Sequence, residues 1–293
     1  MAGIPPLEPS WSFAPRDDLD APLASAARAV ADAAALVITA GAGMGVDSGL
    51  PDFRGPQGFW RAYPMYERLG LAFEEAANPV HFANDPEFGW GFYGHRLRLY
   101  RETMPHAGFG LLRDFIARLG LDHYVVTSNV DGQFQQAGFA ADRVFEMHGS
   151  IHHLQCERPC GKEIWENEEE VPIDEATMRA RRVPPCRGCG GVARPNILMF
   201  DDWSWISERS DAQGARLDAF LAAHETDPMV VVEMGAGTAL PSIRRLGEEL
   251  GRRPGCLVVR INPREPAISR PHLALPAGAL AGLQAIAAAL GAP

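Results

Sequence analysis

A chain of 293 residues, 46% of them apolar and with a formal charge of −10, can bury a full hydrophobic core and is long enough for one large domain plus a smaller module. Its acidity disfavours nucleic acid as a partner, which a basic stripe would mark, and no apolar run approaches the ~20 residues that span a bilayer. Residues 1–20 are rich in proline and acid and lack the charge-then-apolar order of a secretory signal, so a cytoplasmic enzyme or binding protein is expected.

Residues 1–30 read as a loose arm and a leading helix, alanine-rich from Pro22 to Ala35, with the proline tolerated in the first turn. Leu36 to Thr39 is a short apolar run of strand character. It leads into Gly41-Ala42-Gly43-Met44-Gly45, where small side chains let a ligand approach the backbone. At the carboxyl end of a strand such a loop presents amides to a pyrophosphate. Alone it reads equally well as a turn with no ligand. Ser48, Asp52, Phe53 and Arg54 then set a hydroxyl, a carboxylate, an aromatic face and a fixed cation beside it.

An aromatic-dotted stretch from Gly58 to Phe82 has no clean period. Asp85-Pro86 starts a helix on which Phe88, Phe92, His95 and Leu99 recur at helical spacing. Tyr93 and Arg96, three apart, share a face of it. Phe109 to Leu119 is a second amphipathic helix, closed by Gly120. The strand His123 to Thr127 follows and ends in Ser128-Asn129-Val130-Asp131-Gly132, the position at which open α/β sheets place their ligands. Met229 to Met234 and Cys256 to Ile261 are two further buried strands, ending in Gly235-Ala236-Gly237-Thr238 and Asn262-Pro263.

This alternation predicts an α/β fold: a doubly wound, parallel, Rossmann-like sheet built from 31–149 and 192–293. Part of 55–105 forms a helical lobe for substrate and cofactor. Residues 150–191 differ in composition and form a smaller inserted module with its own organising centre. Five cysteines are an odd count, which argues against a full disulfide framework. Cys156-x3-Cys160 and Cys186-x2-Cys189 supply four thiolates in two knuckles, which suits tetrahedral structural zinc; the alternatives are two reduced pairs or a redox couple. Four sulfurs leave no open coordination position, so the site is assigned to structure. Cys256 reads as a core residue, and the runs Glu166 to Glu170 and Arg179 to Arg182 as solvated surface.

His148, in Glu146-Met147-His148-Gly149-Ser150, is one of nine histidines and by spacing alone reads as structural. In order along the chain, however, stand Gly41-Ala42-Gly43 with Ser48-Gly49-Leu50-Pro51-Asp52-Phe53-Arg54, then Ser128-Asn129-Val130-Asp131, His148-Gly149-Ser150, the four cysteines, and Gly237-Thr238. Together they resemble the sirtuins, NAD-dependent protein-lysine deacylases, over about residues 30 to 265. The resemblance implies that the glycine loop (Gly41, Ala42, Gly43, Gly45) and Asp52-Phe53-Arg54 hold NAD. It implies that Ser128, Asn129, Val130 and Asp131 line the nicotinamide and ribose region, with Asn129 and Asp131 taking part in catalysis. Gly237, Thr238, Ala239 and Asn262 fall on the adenosine side. His148 becomes the general base on a ribose hydroxyl, a task suited to an ordinary histidine pKa of about 6.5. The acyl-lysine oxygen attacks the ribose carbon that bears nicotinamide, and the products are nicotinamide, free lysine and O-acyl-ADP-ribose. Ala77-Asn78-Pro79-x-x-Phe82 and Phe92-Tyr93-x-x-Arg96 are similar to the class III sirtuins, which prefer succinyl, malonyl or glutaryl lysine. There an alanine widens the pocket and the Tyr-x-x-Arg pair grips the distal carboxylate.

The chain departs from the family in three places. Where a Phe-Gly-Glu segment usually follows Arg-Pro, it reads Phe200-Asp201-Asp202-Trp203-Ser204-Trp205. The serine usual after Gly-Thr is Ala239, and the serine usual in the first glycine loop is Gly45, which leaves contacts there to backbone amides. Two further readings stand beside deacylation: an ADP-ribosyltransferase or NAD glycohydrolase on the same scaffold, and a zinc-stabilised module that senses NAD without turnover. A dehydrogenase wants an acidic residue about 20 positions past the glycine loop at the end of a second strand, and no strand precedes Glu67. The substrate partner is an acyl-lysine protein or peptide, with no nucleic acid and no membrane; the oligomeric state is not legible.

Overall fold

The computed structural model describes residues 20–52 and 55–291. Its strands are β1 (Ala35–Ala40), β2 (Asp122–Thr127), β3 (Val144–Glu146), β4 (Gly149–Cys156), β5 (Ile164–Glu166) and β6 (Ile173–Asp174). They continue with β7 (Arg179–Ala180), β8 (Ala193–Ile197), β9 (Met229–Met234), β10 (Cys256–Ile261) and β11 (Leu273–Leu275). The helices are α1 (Asp20–Asp32), α2 (Gly55–Ala62), α3 (Pro64–Arg68), α4 (Phe73–Ala76), α5 (Val80–Asn84) and α6 (Pro86–Glu102). After them come α7 (Ala107–Leu119), α8 (Gln133–Gln136), α9 (Glu208–Ala223), α10 (Ser242–Leu250) and α11 (Ala279–Ala289).

Six strands pair in the order β11-β10-β9-β1-β2-β3, every neighbour parallel. A parallel sheet is covered on both faces, which is why its strands read as unbroken apolar runs; every residue of β1 and β9 is buried. Alternate residues serve opposite layers. Leu36, Ile38, Val125 and Val232 pack with Phe109, Leu112 and Leu283, from α7 and α11. Val37, Tyr124, Val126 and Val231 pack with Leu217, Phe220 and Ile243, from α9 and α10. The expected doubly wound sheet is therefore present. Strand β3 and the edge strand β11 extend it beyond the four runs legible as strands.

A second, antiparallel sheet runs β5-β4-β8. It thus includes Ala193–Ile197, across the line drawn at residue 191. This module is organised by more than its cysteines. Ile151, Leu154, Trp165 and Ile197 share one core with Phe59, Tyr66, Trp90 and Phe92 of the helical lobe. Trp90 Nε1 also donates to the Ala193 carbonyl at 2.8 Å. The charge runs expected as plain surface are partly structural as well. Arg179 pairs with Asp85 at 2.6 Å and Glu87 at 3.1 Å, and Arg182 with Glu169 at 2.6 Å.

Asp85 caps α6 by accepting from Phe88 N, so its pairing with Arg179 ties the β6–β7 hairpin to the start of that helix. The contact is close enough to require glycine. A Cβ on Gly91 would stand 1.7 Å from the Met178 carbonyl oxygen. Gly91→Ala therefore has to push the hairpin backbone off α6. We expect a loss of at least ~1–3 kcal/mol, read as a lower midpoint in urea unfolding; an unchanged midpoint would show that the contact is loose.

Candidate active site and metal centre

The strand order reverses between β1 and β9, and at such a switch point an open sheet leaves a crevice outside its carboxyl ends. Here the two flanking loops meet glycine on glycine. Gly41 N donates to Met234 O at 3.0 Å and Gly43 N to Gly235 O at 3.0 Å. A Cβ on Gly43 would lie 2.6 Å from Gly235 Cα, and one on Gly41 2.8 Å from Gly235 O. Gly235 itself has φ of 60°, the left-handed region that favours glycine.

Above this contact lies a cavity of about 540 Å³, within the range of small-molecule and cofactor sites. Of the residues read from sequence, Gly41, Ala42, Gly45, Asp52, Ser128, Asn129, Val130, Asp131, His148, Gly237, Thr238 and Ala239 line it, as do Ala77, Tyr93 and Arg96. Gly43 and Asn262 stand behind the wall. Asn262 is buried, donates from Nδ2 to Ala236 O at 2.9 Å, and accepts through Oδ1 from the backbone of Arg264 and Glu265. Ser48 likewise faces inward, accepting from His106 N at 3.0 Å and donating to Gln133 Oε1 at 3.1 Å. Phe53 and Arg54 lie outside the described residues.

At the centre, Asn129 Nδ2 donates to Gly41 O at 3.0 Å, which fixes the amide across the mouth of the first loop. Burial lowers the pKa of His148, opposed by a hydrogen bond to the Ser128 backbone. The imidazole is consequently neutral near pH 7 and able to take a proton. Asp131 is pushed up to about 6, chiefly by burial and also by the negative Glu146; the Gln133 N–H and Arg96 act in the other direction. Its Oδ1 accepts from Gln133 N at 2.9 Å.

At one end, Tyr93 and Arg96 are both buried, with 1% and 6% of their surface exposed, so the pair is not an ordinary helix-surface Tyr and Arg. The Tyr93 hydroxyl has no hydrogen-bond partner among the described residues. At the other end, Thr238 donates from N and Oγ1 to the Glu265 carboxylate, at 3.2 and 2.6 Å. Arg244 braces both loops there, donating to the carbonyls of Ala236 and Glu265 at 3.0 Å each.

Sequence reading missed Phe73, Tyr100, Met199, Phe200 and Glu265, all of which line the cavity. Tyr100 had a signal, since it follows Arg96 by one helical turn. Glu265 had one too, three residues past the Asn262 that follows β10. The others come from segments with no readable period. Asp201 stands at φ of 54°, in the left-handed region that glycine adopts without strain. The Asp202 side chain is wholly buried against Arg194 at 2.9 Å and accepts from the backbone of Met199 and Ser204. Trp203 is left 98% exposed.

The four thiol sulfurs of Cys156, Cys160, Cys186 and Cys189 lie within 4.8 Å of one another. The pairs Cys156–Cys189 and Cys160–Cys186 are 3.7 Å apart. Tetrahedral zinc with Zn–S of about 2.3 Å places its sulfurs about 3.8 Å apart, so the residues fit the ion. Gly188 leaves no room to spare, since a Cβ there would lie 3.2 Å from Cys160 Sγ. Cys256 is buried in β10, as its apolar neighbours implied.

Residues 41–221 match the Sir2 family model. An NAD-dependent protein deacylase 2 of Pyrobaculum aerophilum is 33% identical over 234 residues, which is 80% of this chain and 81% of the relative. An NAD-dependent protein deacylase of Aquifex aeolicus is 28% identical over 236 residues, 80% and 86% of the two chains. A Sir2 homologue solved as an NAD complex superposes with a TM-score of 0.69 at 26% identity, covering 90% of this chain and 92% of that one. Another, a mutant bound to 2′-O-acetyl ADP-ribose, does so at 0.63 and 26%, covering 90% and 96%. With the glycine-floored crevice, the histidine at its centre and the four-sulfur module all in the family's order, this chain belongs to the Sir2 family.

Proposed function

We propose that this chain, an NAD-dependent protein deacylase, acts on lysines whose acyl group ends in a carboxylate. One observation carries the acyl preference: a buried arginine and a buried tyrosine hydroxyl, without a hydrogen-bond partner among the described residues, line the same cavity as His148. Burying a hydroxyl without a partner costs about 1–3 kcal/mol, and a carboxylate supplies the missing acceptor. Charge-assisted bonds of this kind are worth about 1.5–3 kcal/mol each. An acetyl group brings no second acceptor to this end.

NAD supplies a ribose whose bond to nicotinamide breaks and whose hydroxyls then accept the acyl group. The remaining work falls to the residues of the chain. The glycine contact of Gly41 and Gly43 with Gly235 leaves backbone amides, with no Cβ between, toward the dinucleotide. Asn129, tethered to Gly41 O, orients the nicotinamide side. His148, neutral because it is buried, takes the ribose hydroxyl proton. Tyr93 and Arg96 draw the acyl chain inward from the far end. Cys156, Cys160, Cys186 and Cys189 would hold zinc and with it tie together the β4–β8 module, which carries the wall formed by Ile197 to Phe200. No helix among the described residues is long and apolar enough to cross a membrane, and four zinc-holding thiolates suit a reducing compartment such as the cytoplasm.

His148→Ala is expected to lower turnover by ~10²–10⁴-fold, measured as O-acyl-ADP-ribose formed from NAD and acyl peptide. Near-normal turnover would remove His148 as the base, and free ADP-ribose as the main product would favour the glycohydrolase reading. Arg96→Met should reduce kcat/KM on succinyl-lysine by about 10- to 100-fold and leave acetyl-lysine nearly unchanged; equal losses on both would sink the acyl assignment. A zinc chelator or Cys186→Ser should lower the melting temperature of the whole chain, followed by calorimetry, whereas a fully stable variant would mean that the knuckles do not depend on metal.

A further inference from the structure

Helix α6 carries one more group at the acyl end. Tyr100 lies one turn beyond Arg96 and two beyond Tyr93, on the same face, and all three line the cavity. Its hydroxyl oxygen accepts from Arg96 Nε at 3.1 Å and from Nη2 at 2.7 Å. A phenolic oxygen offers two acceptor sites and one hydrogen. With both acceptor sites taken by the guanidinium, Tyr100 has only its own hydrogen left to give. Tyr93, whose buried hydroxyl has no partner among the described residues, has a donor to offer as well.

The rings of Phe73, Phe92, Tyr93 and Tyr100 stand around the guanidinium carbon, their centroids 5.8, 5.1, 5.5 and 5.3 Å away. Cation–π contacts at such distances hold the fork in place. Burial pushes Tyr93 up to about 12 and also raises Tyr100, against the pull of Arg96 on each, so both phenols keep their protons at neutral pH.

We propose that Tyr100 is a direct ligand of the substrate's distal carboxylate, its O–H joining Tyr93 O–H and the Arg96 guanidinium in an all-donor cradle for a short dicarboxylic acyl group. This rests on the acidic-acyl reading. A carboxylate offers charged acceptors to all three donors, whereas a neutral carboxamide of the same shape brings one acceptor oxygen and no charge, and should be used less well.

The test uses Tyr100→Phe, which keeps the ring and removes the hydroxyl, with succinyl-, succinamoyl- and acetyl-lysine versions of one peptide. For the unaltered chain, succinyl-lysine should be preferred over both others. In Tyr100→Phe, KM for succinyl-lysine should rise about 10-fold or more, a much larger loss than any seen with acetyl-lysine. A parallel loss on succinyl- and acetyl-lysine would make Tyr100 merely structural, and an unchanged KM for succinyl-lysine would remove it as a ligand while leaving the acidic-acyl reading standing. Absence of a succinyl preference in the unaltered chain would sink that reading and this inference together. Should Tyr100→Phe fold poorly by melting temperature, the succinyl-against-succinamoyl ratio of the unaltered chain still decides, since equal kcat/KM for the two overturns the all-donor cradle.

Discussion

Two loops leave adjacent parallel strands and pass so close that neither can carry a side chain where they touch. Gly43 against Gly235, at the ends of β1 and β9, is the constraint on which the site depends. A methyl group at either position would part the backbones. The floor of the crevice would then be a pair of side chains in place of peptide groups. Because the loops are pinned by Gly41 N to Met234 O and Gly43 N to Gly235 O, the amides that face the cavity are held before any ligand arrives. Pre-ordering of this kind reduces what must be immobilised on binding. Asn262 and Arg244 extend the same logic behind the wall, since they satisfy the Ala236 carbonyl from two sides.

The helix that closes the opposite side of the cavity is subject to a different constraint. Most of α6 is buried, including Trp90, Phe92, Tyr93, Arg96, Leu97 and Tyr100. Surface helices expose one face; this one is wrapped by the β6–β7 hairpin, the small sheet and the aromatic lobe. Gly89, Gly91 and Gly94 make that wrapping possible, at some cost in helix propensity. Gly91 faces the Met178 carbonyl, and a Cβ on Gly94 would lie 2.7 Å from Ile173 Cδ1. The metal module is thereby coupled to the acyl end through packing. Cys156 and Cys186 share one buried core with Met178 and Ala180 of the hairpin and Tyr93 and Leu97 of α6.

The sheet was readable because its strands are continuous β-branched runs, and a parallel strand buried on both faces writes no other pattern. Met229–Met234 and Cys256–Ile261 were readable to the residue. Val144–Glu146 and Leu273–Leu275 were not, since three residues carry no period. The site divides along a similar line. Residue type announces chemistry but not direction: Ser48 and Asn262 carry the groups a ligand would want, yet both are spent on loops of the protein itself. Only the tertiary arrangement separates a hydroxyl that meets substrate from one that holds a turn. Tyr100 fell on the other side of the same ambiguity, as one more aromatic at helical spacing in a helix full of them. The charge runs at Glu166 to Glu170 and Arg179 to Arg182 misled for a related reason, because partners such as Asp85 lie nearly a hundred positions away.

The segment after Arg194-Pro195 shows how a left-handed turn can be carried by a residue other than glycine. A glycine is suited there because the backbone turns left-handed, and aspartate is among the few side chains that tolerate this conformation. Asp201 takes it, with φ of 54°. The turn is then secured by the next residue. Asp202 is buried opposite Arg194 and collects the backbone N–H groups of Met199 and Ser204. A buried ion pair adds little stability relative to an apolar pair, but removing one partner is strongly destabilising. The pair therefore acts chiefly as a geometric lock. What it locks is the run Ile197 to Phe200, which forms the cavity wall beside His148 through the bond from Leu198 N to His148 O at 2.9 Å. The tryptophan that follows can project into solvent without disturbing the wall, because the turn that carries it is held from inside.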